Sequence, residues 1–155
     1  MYRFKYKPYL HDLGSFLIDL LHEAIIQNEA FVTVGRPNAL LMPIPLHLSK
    51  YRQRGYNQAE ILAAGLGSKF SLPVVDLLVR VRATKSQFSL DRSKRLENIA
   101  GAFVLKESGG EVVKKKTVFL VDDVLTSGAT LFEAAKVLKK AGVGKVYGLT
   151  LAHGQ

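Results

Sequence analysis

The chain has no cysteine. Disulfides and thiolate metal sites are therefore excluded. It has no apolar run near the ~20 residues that a membrane-crossing helix needs. Its first residues, Met1 to Pro8, alternate aromatic with basic side chains and lack the apolar stretch of a signal peptide. A soluble, cytoplasmic protein is expected. The four histidines, His11, His22, His47 and His153, show no HxxxH or HExxH spacing, so metal binding through them is not expected. No Ser/His/Asp or Cys/His arrangement is visible. There is no GxxxxGK[ST] and no GxGxxG, because Gly65-Leu66-Gly67 lacks the third glycine. Acidic residues are scarce: 13 Asp+Glu stand against 22 Lys+Arg, a formal net charge of +9. Such a surface attracts anions, either phosphorylated small molecules or nucleic acid, and charge alone does not choose between them.

What is present fits one domain. The chain has 155 residues and is 48% hydrophobic, enough for a real core. Residues 13–26 read as an amphipathic helix with Leu13, Phe16, Leu17, Leu20, Leu21 and Ala24 on one face. Ala39 to Leu46 is a short apolar run broken by Pro43 and Pro45, where a strand should give way to a loop. Asn57 reads as a helix cap with Glu60 as its capping-box partner. The buried face of that helix would be Ala59, Leu62, Ala63, Leu66 and Phe70. Val74 to Val81, Ala102 to Leu105, Val118 to Val121 and Lys145 to Ala152 read as strands. Leu131, Ala134, Ala135 and Leu138 mark a third helix that Gly142 ends. Strands alternating with helices predict an α/β fold with a mostly parallel sheet.

One string carries chemistry. Val118 to Val121, then Asp122-Asp123-Val124-Leu125-Thr126-Ser127-Gly128-Ala129-Thr130, runs strand, acidic pair, small-residue loop, helix. Open α/β sheets bind ligands at the carboxyl ends of their strands. The small residues let successive backbone N–H groups close around a phosphate, and the helix N-terminus adds roughly half a positive charge. The hydroxyls of Thr126, Ser127 and Thr130 can add hydrogen bonds. Adjacent carboxylates beside a phosphate make sense if they accept from ribose hydroxyls or help to hold Mg²⁺, directly or through water. The plainer reading is a strand end followed by a helix cap.

This string resembles the motif by which type I phosphoribosyltransferases bind phosphoribosyl pyrophosphate (PRPP). Further residues are similar to the ComF competence protein family: Pro43-Ile44-Pro45-Leu46-His47, Arg54-Gly55-Tyr56-Asn57-Gln58-Ala59-Glu60, then Thr84, Gln87, Leu90, Arg95, Asn98 and Ala102-Phe103. The resemblance spans about residues 40 to 152. It implies a single Rossmann-like phosphoribosyltransferase type I domain over 1–155, a mostly parallel sheet flanked by helices with a small hood. It also implies PRPP and Mg²⁺, Asp122 and Asp123 as catalytic residues, and an association with uptake of single-stranded DNA. Members often begin with a cysteine-rich zinc ribbon; without cysteine, none is expected here. A homodimer is a further expectation.

The resemblance assigns two more segments. Pro45, Leu46, Lys50, Arg52 and Arg54 fall in a loop that would meet the pyrophosphate, since cations clamp a leaving polyanion. The basic segment with Arg80, Arg82, Lys85, Arg92, Lys94 and Arg95, around Thr84 and Gln87, corresponds to a flexible loop closing over PRPP. An electrostatic track for a nucleic-acid backbone and a plain solvated loop stay open for it. Lys114-Lys115-Lys116 reads as a solvated turn. Overall, three readings stand: a phosphoribosyltransferase, a non-catalytic module that senses PRPP or a nucleotide, and a single-stranded-DNA-binding component of DNA uptake.

Overall fold

The computed structural model describes residues 10–27, 38–84 and 97–154. Its elements are α1 (Leu10–Ile26), β1 (Ala39–Pro43), α2 (Leu48–Arg54), α3 (Gln58–Phe70), β2 (Leu78–Arg80), β3 (Phe103–Leu105), α4 (Gly109–Val113), β4 (Thr117–Leu125), α5 (Ala129–Lys140) and β5 (Lys145–His153). The main sheet is parallel, in the order β1-β4-β5. Val74 adds a parallel bridge to Leu41 beyond β1. β2 and β3 form a separate antiparallel pair.

Alternation along the strands builds two apolar layers. Leu41, Phe119 and Val121 face one way and pack with Leu21, Ile25, Leu62, Leu66 and Phe70 of α1 and α3. Leu40, Met42, Val118 and Leu120 face the other way, against Ala134 and Leu138 of α5 and Leu78, Ile99 and Phe103. Covered on both faces, β1 and β4 have no need of polar alternation, which explains their continuous apolar runs. Gly65 lets α1 approach α3 closely, because a Cβ there would collide with Ile18.

Most expected elements form, with informative shifts. In α3, Ala59, Leu62, Ala63, Leu66 and Phe70 are all buried. The Asn57 side chain accepts from Ala59 N–H at 3.1 Å, while its Nδ2 donates to Ile44 O at 3.0 Å and to Glu60 Oε1 at 3.2 Å. Glu60 thus receives the cap's side chain. In α1, Phe16 and Leu20 are 62% and 50% exposed, and the buried positions are Leu21 and Ile25. Of the stripe read from the sequence, Leu21 is buried and Leu17 half-buried, while Phe16, Leu20 and Ala24 are exposed and the Leu13 side chain lies outside what the structure describes; Ile25, outside the stripe, takes the other buried apolar position. Val74 to Val81 does not form one strand. Val74 joins the main sheet, and Leu78–Arg80 pairs with β3 in the small one. The segment after β1 is mostly helical: His47 caps α2, its Nδ1 accepting from Ser49 N–H at 3.3 Å, and Lys50, Arg52 and Arg54 ride on that helix rather than in a loop.

Candidate functional site

β4 runs four residues beyond Val121 and carries the acidic pair inside the strand, with Asp122 opposite Thr150 and Leu125 opposite His153 of β5. Ile44 N–H donates to Val121 O at 2.9 Å. The turn at Pro45 and Leu46 therefore leaves the sheet beside the residue that precedes Asp122. This is the carboxyl edge of the parallel strands, where such sheets take ligands.

Past Leu125 the chain bends through Thr126 and Ser127 into Gly128, which has φ +75°, and α5 begins at Ala129. Glycine enters that left-handed region without steric cost. Ser127 Oγ accepts from Ala129 N–H at 3.4 Å, and Phe132 N–H donates to Gly128 O at 2.9 Å, the first turn of the helix. Gly154 N–H donates to Leu125 O at 2.7 Å and fixes the base of the bend. Residues 126–128 and 130 are half-buried. The early N–H groups of a helix have no intrahelical acceptor, so this bend presents donors to an anion.

The acidic pair is electrostatically loaded. Asp123 N–H donates to Asp122 Oδ1 at 2.9 Å. Burial, and then the neighbouring Asp123 charge, push the Asp122 carboxyl up to about 7. The Asp123 N–H bond and the Arg80 charge pull it back down. Arg80 itself is held below its ordinary value by burial, against the attraction of Asp122.

Arg80, which the sequence placed in the basic segment, stands close enough to Asp122 for the two charges to act on each other, a proximity that the motif reading did not give. It sits opposite Phe103 in the small sheet, with its guanidinium carbon 5.6 Å from the Phe103 ring centre. Its Nη2 donates to Thr84 Oγ1, and Thr84 is buried. Its Nε is buried with no hydrogen-bond partner among the described residues. The signal was available: Leu78 is buried and Val79 is not, so alternation turns Arg80 inward. Of the assigned loops, Lys85, Gln87, Arg92 and Arg95 lie outside the described residues. On α2 no residue is buried, and Arg54 Nη1 reaches Gln58 Oε1 at 3.5 Å.

Among the described residues no group of three or more His, Cys, Asp or Glu is disposed to hold a metal ion. Two carboxylates fit Mg²⁺ nonetheless, because Mg²⁺ keeps several waters and is commonly bound by one or two carboxylates together with substrate phosphates.

Residues 53–153 match the phosphoribosyl transferase domain. The chain belongs to the phosphoribosyltransferase family. Within it, the similarity is to ComF-type competence proteins. Competence protein F of Haemophilus influenzae is 35% identical over 153 residues, 97% of this chain and 66% of that protein. Competence protein ComFC of Streptococcus pneumoniae is 36% identical over 103 residues, 66% of this chain and 43% of that protein. The chain thus spans less than two thirds of these relatives' length. The glutamine PRPP amidotransferase of B. subtilis, complexed with ADP and GMP, superposes with a TM-score of 0.55 at 16% identity, covering 91% of this chain and 26% of that one. That likeness shows the fold: a phosphoribosyltransferase type I α/β sheet flanked by helices.

Proposed function

We propose that this phosphoribosyltransferase-family chain binds PRPP with its 5-phosphate on the Thr126–Thr130 bend and its ribose hydroxyls on Asp122 and Asp123. The observation that carries this reading is the run of β4 through the acidic pair into the Gly128 bend at the carboxyl edge of the sheet. An anion at the start of α5 meets N–H donors and the positive end of the helix dipole. The sugar meets acceptors that suit O–H donors. The pyrophosphate falls toward the turn at Pro45 and Leu46 and the cations Lys50, Arg52 and Arg54 of α2. Transfer of the phosphoribosyl group breaks the bond from the anomeric carbon to pyrophosphate, whose oxygen leaves with the electron pair. The acceptor's lone pair forms the new bond at that carbon. This displacement needs positioning and charge stabilisation more than a nucleophilic side chain. Asp122 and Asp123 would hold Mg²⁺ through water, and when bound it supplies charge neutralisation for the pyrophosphate.

Isothermal titration with PRPP, with and without Mg²⁺, tests the binding. Saturable binding that ribose 5-phosphate displaces is expected; its absence under both conditions refutes the reading. A pyrophosphate-release assay with candidate acceptors then separates transfer from a PRPP-sensing role without turnover.

A further inference from the structure

The main sheet ends on β5, and among the described residues no strand pairs with its outer side. Val118 to Val121 of β4 are buried, whereas no residue of β5 is, and Gly148 at its middle is exposed. Lys145 N–H donates inward to Lys116 O at 3.3 Å. By alternation, Val146 and Gly148 turn their N–H and C=O groups outward. Proteins commonly blunt such an edge with proline or with charge, because it is a template for another strand. Val146 to Ala152 contain neither. Lys145 and His153 stand only at the two ends.

The helix beside this edge extends it. α3 lies on β1 and β4, and α1 touches both α3 and β5. One flank of α1 is spent on α3: Ile18 fills the space at Gly65, Asp19 pairs with Lys69 at 2.6 Å, and the His22 ring lies 4.7 Å from that of Phe70. Leu17, Leu20 and Ala24 fall on the other flank of the helix, above the open side of β5. Leu17 is half-buried, and Leu20 and Ala24 are exposed. On the same face of β5, Tyr147, Leu149 and Leu151 are only partly buried. An unpaired strand and an unpartnered apolar helix flank thus form one continuous surface.

We infer that this surface joins the same surface of a second copy of the chain, through antiparallel pairing of the two β5 strands. A homodimer by itself could use any face; the open edge selects this one. A twofold axis requires a patch that fits itself. In the register of fullest overlap, Leu149 lies on the axis, Tyr147 opposes Leu151 of the partner subunit, and Lys145 opposes His153 of the partner subunit. The centre is then apolar, and the two Lys145 side chains are kept far apart. An axis perpendicular to the sheet keeps each face on its own side, so the two α1 flanks meet. The ends are complementary in charge. The lysines that begin β4 and β5, Lys115, Lys116 and Lys145, come to the carboxyl edge of the other copy, where Asp122 and Asp123 lie on the neighbouring strand. The interface does not rest on the PRPP reading.

Sedimentation equilibrium of the full chain over a range of concentrations should give a species of twice the chain's mass. Leu20→Glu should raise its dissociation constant at least about tenfold, because two carboxylates would meet across the axis. Leu20 is already half-exposed in the single chain, so circular dichroism should stay unaltered. The chain has no cysteine, so Leu149→Cys introduces a single thiol. Leu149 turns its N–H inward, and opposed residues of that kind come close enough across two strands for a disulfide. With diamide, Leu149→Cys should cross-link to a dimer far more completely than Val104→Cys, an exposed site on the small sheet. A chain that is monomeric at every concentration overturns the inference, and so does cross-linking at 149 no better than at 104. Hydrogen exchange in such a monomer assigns the edge elsewhere: protected Val146 and Gly148 amides place another part of this chain on it, and free exchange leaves it to an unrelated strand.

Discussion

Replacing Asp122 with Asn should stabilise the protein while weakening its ligand, and the gain should depend on pH. In the folded chain the Asp122 carboxyl is pushed from the ordinary 3.8 to about 7, chiefly by burial. The folded state therefore keeps a proton that the unfolded chain releases as pH rises from about 4 to about 7. Stability falls across that window, and the cost of the charge is complete above it. Taken at face value the shift is worth about 4 kcal/mol, at 1.36 kcal/mol per unit. Relaxation and solvent around this half-buried residue reduce that figure, and a cost on the order of 1–2 kcal/mol is expected. Asn keeps an oxygen for the Asp123 N–H bond of 2.9 Å and carries no charge. The loss of attraction to Arg80 subtracts from the gain, but that attraction is the smallest influence on Asp122. For a chain of this size, 1–2 kcal/mol raises the melting temperature by roughly 2–8 °C. Thermal denaturation followed by circular dichroism at pH 8 and pH 4.5, at one ionic strength, should show a gain at pH 8 that shrinks toward zero at pH 4.5. Equal melting shifts at both pH values, or none at pH 8, would refute the assignment of a strained buried charge.

Other outcomes follow from the same geometry. Gly128→Val should weaken PRPP binding at least tenfold by titration calorimetry. Its cost is the φ of +75° and the blocked approach of the ligand, since a Cβ there meets only Leu125 Cδ1 at 3.7 Å. The double change Asp122→Asn with Asp123→Asn should weaken PRPP yet leave or improve inorganic phosphate binding, because two negative charges beside the phosphate are gone; equal losses would make the pair structural. Arg80→Ala should lower PRPP affinity more than Arg80→Lys, and the same titration checks it. Asn57→Ala should destabilise by about 1–3 kcal/mol in urea unfolding, because it removes the α3 cap and leaves Ile44 O without its Nδ2 donor.

What the sequence made legible was local. The Asn57 cap, the end of β1 at Pro43 and the Gly128 bend are each set by residues within one turn of chain, so spacing reveals them. The orientation of α1 was not legible, because Phe16 and Leu20 are as apolar as Leu21 and Ile25 and only the packing on α3 and the sheet decides between the two flanks. The electrostatic state of the acidic pair was hidden for the same reason. The motif shows two carboxylates side by side, but not how far burial raises one of them. That depends on how deeply β4 is packed, while Arg80, remote in sequence and turned inward by the Leu78 alternation, opposes the rise only weakly. Arg80 links the small sheet to the main one at the point where ligand should bind. Its position over Phe103 and its bond to Thr84 fix the guanidinium from the β2–β3 side, while Asp122 attracts it from β4. That meeting of β2 with β4 is set by tertiary packing between segments remote in sequence, which local spacing does not encode.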